Sequence, residues 1–406
     1  MRILMSTSLY PTPRAPYIFG GAELFVQRLA ERFVAEGHEV EVIRAHPQGD
    51  GAPETVNGVP VHSARQSNIY WAYGPRKPAP VRFAWHMIDD RAGADELMAQ
   101  RIETFRPDVL HSNTLVGLGA DIWRVAQDRN VPVVHTLHDY YLTCARASRF
   151  SGGKVCATTC VSCSVLTRTR RRRTRSVSAV VGVSQRIIDI HQREQLFHDT
   201  PIRAVVRNAS PWSGPVPRDL AGPGGGAFSI GFMGRPHYEK GISQLVQAVA
   251  RLPAGMVRLV IACRLSDDEK EALCKLAAGA DILFLGYVQP DVLLSQVDIV
   301  IAPSLWEEPG ALVIEEALSA GRPVIVSPYG GSPEAIEPGI NGWIVAPEPD
   351  AMASLLATLA RELEKIRAMH HRLMARGARR TMADVDAAYR EIYDRAIAAA
   401  RAGSRR

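Results

Sequence analysis

Short apolar runs alternate with helical patterns through the first 206 residues of the chain. The runs have the length of buried strands and span residues 2–8, 39–43, 108–112, 131–137, 177–183 and 202–206. Between most of them, apolar residues recur at helical spacing, as Phe25, Leu29 and Phe33 do before Gly37. Strands that alternate with helices predict a parallel sheet with helices on both faces.

The same pattern starts again after a break that is rich in Pro and Gly. Residues 211–226 contain four Pro and five Gly, a composition typical of linkers. New strand-like runs then follow at residues 228–234, 257–263, 282–286, 298–304 and 323–328. We therefore predict two α/β domains. The predicted boundaries are an N-terminal domain at 1–210 with a cysteine-rich loop at 144–163, a linker at 211–226, a second domain at 227–378, and a C-terminal helix at 379–406 that packs back on the N-terminal domain.

Composition narrows the class of protein without changing this picture. Of the 406 residues, 46% are hydrophobic and 22% are charged, which is ordinary for soluble α/β proteins. The chain has no uninterrupted apolar run of membrane-spanning length, and its first residues lack the apolar core of a signal peptide. We expect a cytoplasmic protein.

Positive charge is concentrated in the N-terminal half. Residues 1–200 carry 25 Lys and Arg against 19 Asp and Glu, which accounts for the net charge of +6. Much of the excess lies in one run, Arg168-Thr-Arg-Arg-Arg-Arg-Thr-Arg175. Such a patch favours an anionic partner such as the inner face of a membrane, although a solvated helix start explains it equally well. No aromatic residues interleave with the run, so we expect no nucleic acid partner.

Two carboxylates follow the predicted strand at 298–304. Glu308 would lie at the turn from strand to helix, and Glu316 about two turns into that helix. The free backbone N–H groups at the helix start can bind a phosphate, helped by the helix dipole. A carboxylate further along the helix can accept hydrogen bonds from a ribose. The pattern by itself fits a surface acidic cluster at a helix start just as well.

Two basic residues lie in the loop after the predicted strand at 228–234. Arg235 and Lys240 could contact a diphosphate as it departs with growing negative charge, Arg as a fork and Lys as a point charge. Contacts of this kind stabilise a leaving group electrostatically without a metal. The alternative is a loop with two solvated basic side chains.

Together these segments resemble a known family. GRPHYEKG (234–241) and APSLWEEPGALVIEEALSAGRPVI (302–325) are similar to the donor-binding signatures of glycosyltransferase family 4, or group 1. The resemblance implies the GT-B fold, in which two Rossmann-like, doubly wound α/β domains face each other across a cleft. It also implies a retaining transferase that moves a sugar from a nucleotide diphosphate donor to a glycan, lipid-linked or small-molecule acceptor, in cell-surface polysaccharide or glycolipid synthesis.

The resemblance also implies residue roles. Arg235 and Lys240 would bind the donor diphosphate, Glu316 the ribose, and Glu308 the transferred sugar. The implied catalytic residues are His138, Arg235, Lys240 and Glu308. The implied donor-binding residues are Gly20, Gly21, Arg235, Lys240, Val288, Glu308, Gly310, Ala311, Leu312 and Glu316. The family usually has Phe-Gly where this chain has Gly310-Ala311, which keeps the backbone amides but changes the local shape.

The N-terminal half contributes matching elements. Gly20 and Gly21 resemble the family's glycine loop, in which the backbone approaches the donor phosphate and the acceptor closely. His138 matches the family's His at the end of a strand, near the reacting carbon, and His111 is a weaker candidate. Asn208 lies where the family often has Asn-Gly, followed here by Ala.

Four of the six cysteines lie close together in sequence, at Cys144, Cys156, Cys160 and Cys163. Disulfides are rare in cytoplasmic proteins, where such a cluster is more typical of a metal site or a redox device. Because four thiolates suit tetrahedral Zn²⁺, we predict a structural zinc site. Free thiols, or disulfides formed after purification, are the alternative.

Other functions fit parts of the pattern. A GT-B enzyme that does not transfer sugar, such as a nucleotide-sugar epimerase or a phosphorylase, would share the donor site. A nucleotide-sugar or nucleic-acid binding protein would use the Arg run. A dehydrogenase is excluded because the glycine pattern at 222–227 precedes a strand, whereas a dinucleotide fingerprint follows one. Neither predicted domain contains an Asp-x-Asp motif, so we expect catalysis without a metal cofactor.

Overall fold

The chain forms two compact units. The structure, a computed structural model, describes residues 1–15, 20–49, 52–90, 94–209, 216, 228–377 and 380–403. Unit 1 consists of Met1–Arg149, Cys156–Arg207 and Met382–Arg406. Unit 2 consists of Phe150–Val155 and Asn208–Thr381. The C-terminal helix therefore belongs to unit 1, and a short excursion of the cysteine-rich segment belongs to unit 2.

The strands and helices alternate along most of the described chain. The strands are β1 (Arg2–Thr7), β2 (Glu39–His46), β3 (Glu54–Val56), β4 (Val59–Arg65), β5 (Val109–Ser112), β6 (Val133–Leu137), β7 (Phe150–Ser151), β8 (Lys154–Val155), β9 (Ala179–Gly182), β10 (Ile202–Val205), β11 (Phe228–Met233), β12 (Val257–Ala262), β13 (Ile282–Phe284), β14 (Ile299–Ala302), β15 (Val324–Val326) and β16 (Gly342–Ile344). The helices are α1 (Gly21–Ala35), α2 (Ala79–Asp89), α3 (Asp95–Phe105), α4 (Asp121–Gln127), α5 (Val161–Leu166), α6 (Arg168–Arg173), α7 (Gln185–Arg193), α8 (Ile242–Ala250), α9 (Asp267–Ala277), α10 (Pro290–Leu294), α11 (Leu312–Ser319), α12 (Pro349–Leu359), α13 (Leu363–Arg376) and α14 (Met382–Gly403).

Unit 1 is built on a sheet in the order β10-β9-β6-β5-β1-β2-β4-β3. Its strand pairs are parallel except for the hairpin of β3 with β4. The central strand β1 is apolar at consecutive positions, and Ile3, Leu4 and Met5 are all fully buried. Because successive strand side chains point to opposite faces, this run requires helices on both faces of the sheet.

The C-terminal helix α14 completes the core of unit 1. Tyr389 and Tyr393 lie one helical turn apart, and both are fully buried. The Tyr389 hydroxyl is hydrogen-bonded to Thr136 at 2.9 Å, and the Tyr393 hydroxyl to His111 at 2.7 Å. These polar contacts join the end of the chain to the centre of the first sheet.

Unit 2 is built on a second parallel sheet in the order β13-β12-β11-β14-β15-β16. The chain runs outward from β11 through β12 to β13, and then crosses to β14 on the other side of β11. In α/β sheets, a ligand binds at such a reversal, outside the carboxyl ends of the strands. In unit 2 the reversal places the loops after β11 and β14 side by side.

These sheets confirm the predicted fold class of two doubly wound α/β domains, and every strand predicted from an apolar run is present. Sequence reasoning missed β3, β4, β16 and the hairpin of β7 with β8. It also assigned residues 150–155 to the N-terminal domain, whereas they belong to unit 2, where the Phe150 ring lies 6.3 Å from the ring of Tyr238. The linker at 211–226 and the glycine pattern at 222–227 lie outside the described residues, apart from Val216.

In the described parts of the chain, no helix combines the length and the apolar character needed to cross a membrane.

Candidate functional site

Loops at the carboxyl ends of the parallel strands in unit 2 carry most of the predicted donor-binding residues. The loop after β11 carries Arg235 and Lys240, and the loop after β14 carries Glu308. The segment between β13 and α10 carries Val288. Because parallel strands end at one edge of a sheet, the tertiary structure brings these separate segments to the same edge.

A glycine holds the first two of these loops together. Gly241 has φ +74 and precedes α8, and a Cβ at this position would lie 2.0 Å from the carbonyl oxygen of Pro303. The Leu305 backbone N–H donates to the Glu239 carbonyl at 2.8 Å. The left-handed backbone and the close approach both require glycine here. The loop after β11 is thereby fixed against the start of the loop after β14.

Lys240 and Glu308 meet at this junction. The Lys240 ammonium donates to one carboxylate oxygen of Glu308, and the Ser304 hydroxyl donates to the other. The ammonium group also lies 5.6 Å from the centroid of the Trp306 ring. Glu308 is buried and Lys240 is half-buried. The Glu308 carboxylate is therefore held in one position. Lys240 and Glu308, which were both predicted as site residues, form one hydrogen-bonded ion pair.

A second glycine, which sequence reasoning missed, supports Glu308 from the loop after β15. Gly330 has φ +70, and a Cβ there would lie 2.1 Å from the Glu308 carbonyl oxygen. Its N–H donates to the Glu307 carboxylate at 2.8 Å, and the Gly331 N–H donates to the Glu308 carbonyl at 2.8 Å. The only sequence signal was the Gly-Gly pair that follows the strand at 323–328. The Gly-Gly pair predicts a tight turn, but it does not predict that this turn contacts Glu308.

The segment from Gly310 to Leu312 leads into α11. No side chain caps the start of this helix, whose N-cap residue is Ala311. The Gly310 carbonyl accepts a hydrogen bond from the Asn208 side chain at 3.2 Å. Glu316 is buried on the first turns of α11. A helix start without a side-chain cap leaves backbone N–H groups for an anion, as the sequence predicts.

The remaining predicted residues of unit 2 lie at the same strand ends. Arg235 is exposed after β11. Val288 is half-buried and packs against a core cluster of unit 2. The neighbouring Tyr287 is exposed, and its ring centroid lies 5.6 Å from the Arg264 guanidinium after β12. This contact joins the loop after β12 to the loop after β13.

In unit 1, the glycine pair lies at the start of α1. Gly20 is the N-cap residue, with extended backbone at φ −170, and Gly21 is the first residue of the helix. A Cβ at Gly20 would lie 3.1 Å from a carboxylate oxygen of Glu23. Extended backbone suits any residue, so Gly20 is not required for its backbone conformation. Residues 16–19 of this loop lie outside the described residues.

His138 follows β6 and is hydrogen-bonded to the Asn113 side-chain oxygen at 3.0 Å through Nε2. The Asn113 amide nitrogen faces the carbonyl oxygens of Ser6 and His111, which orients its oxygen toward the imidazole. Nε2 therefore donates, and Nδ1 is the acceptor nitrogen. Burial lowers the pKa of His138 to about 3, so the ring is neutral at ordinary pH. The Phe25 ring packs 5.2 Å away.

His111, the weaker candidate, has a structural environment. It is fully buried in β5, with one ring nitrogen 2.8 Å from the Thr136 hydroxyl and the other 2.7 Å from the Tyr393 hydroxyl. Both nitrogens are therefore occupied within the core of unit 1.

Asp139 follows His138 in the chain. Its carboxylate accepts a hydrogen bond from the Tyr141 backbone N–H at 2.8 Å, and burial raises the pKa of Asp139 to about 6.

The cysteine cluster contains a close thiol pair. The hydrogen bond with Cys163, together with backbone N–H donors that follow Cys144 in sequence, lowers the pKa of the Cys144 thiol to about 5. The same bond raises the pKa of Cys163. Cys160 is exposed and Cys156 is half-buried. Among the described residues, no group of three or more His, Cys, Asp or Glu side chains is arranged to hold a metal ion. The zinc site stays a prediction.

The Arg run divides into two sets. Arg170 is fully buried, lies 3.0 Å from an Asp90 carboxylate oxygen, donates to the Tyr141 carbonyl and stacks over that ring at 3.6 Å. Arg171 and Arg173 pair with acidic residues of unit 1. The other set consists of Arg168, Arg172 and Arg175, which are exposed. The prediction that the whole run faces an anionic partner is therefore wrong for Arg170, which stabilises the fold.

Two doubly wound sheets, with basic and acidic side chains at the strand-end loops of the second, define a protein of the GT-B class. Comparison with known proteins agrees. Residues 19–207 match the family Glycosyltransferase Family 4, and residues 227–362 match the family Glycosyl transferases group 1. The chain therefore belongs to the group 1, or family 4, glycosyltransferases.

Individual relatives cover most of the chain. It is 30% identical over 339 residues to an uncharacterized 42.6 kDa protein in the cps region of Klebsiella pneumoniae, across 82% of this chain and 87% of the relative. It is 28% identical over 395 residues to a glycogen synthase of Mycobacterium tuberculosis, across 94% and 90%. Anabaena Alr3699/HepE, solved in complex with UDP and glucose, has a TM-score of 0.68 at 19% identity, across 97% of this chain and 99% of that one.

Proposed function

We propose that the protein transfers a sugar from a nucleotide diphosphate donor to an acceptor with retention of the anomeric configuration. The observation that carries the proposal is the junction of the loops after β11 and β14, where Lys240 contacts Glu308. Gly241 and Gly330 hold this junction in place from two sides. It lies at the strand-order reversal, where α/β sheets bind nucleotides.

The donor diphosphate would bind at the positive elements of this edge. Lys240 has two ammonium protons besides the one donated to Glu308, and Arg235 is exposed in the same loop after β11. The start of α11 would add backbone N–H groups from Leu312 onward. Glu316 would accept hydrogen bonds from the ribose, and Val288 would lie against the base. UDP, which is bound in the Anabaena structure, is the first nucleotide to test.

The reaction follows from the leaving group. The bond between the anomeric carbon and the diphosphate oxygen breaks, and the acceptor oxygen forms its new bond on the same face of the sugar. The acceptor hydroxyl proton passes to an oxygen of the departing diphosphate. Lys240 and Arg235 would stabilise the charge on that diphosphate, which is greatest after bond cleavage, so they would lower the barrier without a metal.

His138 is proposed to contact the transferred sugar. Its neutral ring presents Nδ1 as an acceptor, because Nε2 is committed to Asn113. An uncharged acceptor can hold a sugar hydroxyl without repelling positive charge that develops at the anomeric carbon. Gly20 and Gly21 are proposed to place the start of α1 near the donor.

The acceptor is proposed to be a glycan, a lipid-linked sugar or a small molecule, used in cell-surface polysaccharide or glycolipid synthesis at the cytoplasmic face of a membrane. This part of the proposal rests on the family resemblance and on the exposed basic residues of unit 1.

The donor and the stereochemistry can be tested with the purified protein. Thermal unfolding with UDP, GDP, ADP and CDP should identify one base that stabilises the protein, by roughly 2.7 kcal/mol at a hundred times its dissociation constant. Product formed from the matching sugar nucleotide should have the donor's anomeric configuration in NMR spectra, with or without a chelator. An inverted product, activity lost to the chelator and restored by Mg²⁺, or an epimerised nucleotide sugar without transfer would contradict the proposal.

A further inference from the structure

An apolar patch is exposed on unit 1 where α2 packs against α5. Val81, Phe83 and Met87 on α2 are 38%, 49% and 45% exposed, and Val161 and Val165 on α5 are 83% and 51% exposed. We call these five residues the α2–α5 face. Large apolar side chains grouped on a surface are typical of an interaction site.

The inner side of α2 is already packed within unit 1. The exposed apolar residues of this helix are therefore not core residues that lack a packing partner. Trp85 is buried, and its indole N–H donates to the Tyr70 carbonyl at 2.9 Å. Asp89 is fully buried and accepts a hydrogen bond from the Tyr141 hydroxyl. Phe83 and Met87, four residues apart, lie together on the outer side. Phe83 and Met87 are therefore exposed on a helix whose inner side is already packed within unit 1.

The charge of the surrounding segments has one sign. Residues 55–88, which include α2 up to Ile88, and residues 140–188, which include α5 and α6, contain no Asp or Glu, and Asp89 and Asp90 at the end of α2 are buried. The exposed residues Arg168, Arg172 and Arg175 follow α5 directly, and Arg76 and Lys77 precede α2 in an exposed segment. The other arginines of the run, Arg170, Arg171 and Arg173, form ion pairs with acidic residues from other segments of unit 1. Those carboxylates are therefore already paired.

We propose that the α2–α5 face docks on an anionic lipid surface. Phe83, Met87 and the two valines of α5 would enter the boundary between headgroups and acyl chains, and the exposed arginines that follow α5 in the chain would contact lipid phosphates. Apolar burial and positive charge are the two contributions that hold peripheral proteins at anionic bilayers. A second copy of the chain fits the face poorly, because it would bring two sets of arginines together. The proposal does not depend on the transfer reaction.

The apolar contribution is tested by co-sedimentation of the full-length protein with vesicles. Vesicles of phosphatidylcholine with phosphatidylglycerol should retain the protein at low salt, and vesicles of phosphatidylcholine alone should not. Phe83→Ser with Met87→Ser should lower the partition coefficient by about tenfold or more, since two large apolar groups no longer enter the bilayer. The matched control is Leu276→Ser with Val292→Ser, which removes two similarly exposed apolar side chains from unit 2 and should leave binding unchanged.

The electrostatic contribution is tested with the exposed arginines. Arg168→Gln, Arg172→Gln and Arg175→Gln should each lower binding by about fivefold, which corresponds to the roughly 1 kcal/mol of one basic residue near an anionic surface. Arg361→Gln, an exposed arginine of unit 2, is the control. Raised salt should weaken binding of the parent protein and reduce the difference between it and these variants.

Three outcomes would overturn the proposal. The first is no binding to the anionic vesicles at low salt. The second is equal losses in the α2–α5 variants and in their unit 2 controls. The third is a protein dimer, detected without vesicles by sedimentation, that Phe83→Ser with Met87→Ser dissociates, since this would assign the face to a second copy. All variants alter exposed residues, and their free energies of unfolding should match that of the parent within about 0.5 kcal/mol.

Discussion

The two units use buried charge in different ways. In unit 2, the buried Glu308 lies in a strand-end loop and pairs with the half-buried Lys240 at the edge where α/β sheets generally bind ligands. In unit 1, the buried Arg170 pairs with the buried Asp90 and stacks on Tyr141 within the fold. Similar charged residues therefore serve a candidate site in one unit and stability in the other.

The comparison shows that a charged motif has a function only in its structural setting. GRPHYEKG follows a strand directly, so its charges are placed at a ligand-binding edge by the topology of the sheet. The Arg run forms the whole of the short helix α6 and continues beyond it to Arg175, and its residues point around that helix in different directions. Its members are consequently divided between the interior and the surface.

The largest effect is expected for Arg170→Ala. It should lower the free energy of unfolding by about 3–5 kcal/mol, because Asp90 would remain buried without its ion pair. Denaturant unfolding measures this change. Arg172→Ala, an exposed neighbour in the same helix, is the control and should change the value by less than about 0.5 kcal/mol. Equal midpoints for the two variants would refute the structural role of Arg170.

Lys240→Ala tests whether the ion pair of Lys240 with Glu308 in unit 2 serves activity rather than stability. It should lower turnover on the order of a hundredfold or more, because in the proposed reaction it removes a charge that would stabilise the departing diphosphate. Stability should fall by less than in Arg170→Ala, because Lys240 is half-buried and Glu308 keeps its hydrogen bond from the Ser304 hydroxyl. Lys275→Ala, an exposed lysine of α9, is the control for both measurements. Near-parental turnover in Lys240→Ala would remove its catalytic assignment.

The cysteine cluster tests whether unit 1 contains a structural metal as well. Protein purified without chelator should carry about one equivalent of zinc, held by four thiolates. Cys163→Ser should lose that metal, whereas Cys274→Ser, an exposed cysteine of unit 2, should keep it. Elemental analysis and thiol titration measure both. Metal-free protein in which all four thiols titrate would end the zinc hypothesis and leave the pair of Cys144 with Cys163.

The smallest effect is expected from pH. Burial lowers the pKa of His111 and His138 to about 3, and of His86 and His191 to about 4. Below the ordinary His pKa near 6.5, the unfolded chain therefore binds more protons than the native protein, and stability should fall as pH falls. Below about pH 6 this loss is partly offset, because burial raises the pKa of Asp89 to about 6 and the native carboxyl then takes up protons first.

Unfolding midpoints between pH 8 and pH 6 check this prediction. His191→Asn should reduce the dependence on pH, because it removes one buried imidazole of unit 1. His371→Asn should leave the dependence unchanged, since His371 is exposed on α13 of unit 2. A parent protein whose midpoint is constant over this range would contradict the expectation.

Sequence reasoning predicted more of unit 2 than of unit 1. The loop signatures around Lys240 and Glu308 are local, so the residues that they contain could be selected before the fold was known. Gly330 could not be selected, because its partner Glu308 lies on a different strand-end loop. In unit 1, His138 could be chosen from the family resemblance, but its orienting partner Asn113 gave no signal.

The alternation of strands and helices, and with it the two sheets, could be read from the amino-acid sequence alone. Apolar periodicity is a local property that follows directly from burial on one or both faces of an element. The sequence also shows which loops carry charge. Which charged groups meet depends on the tertiary fold, because ion pairs such as that of Arg170 with Asp90 join segments that are distant in sequence. The tertiary fold alone decides which apolar residues, such as Phe83, remain at the surface.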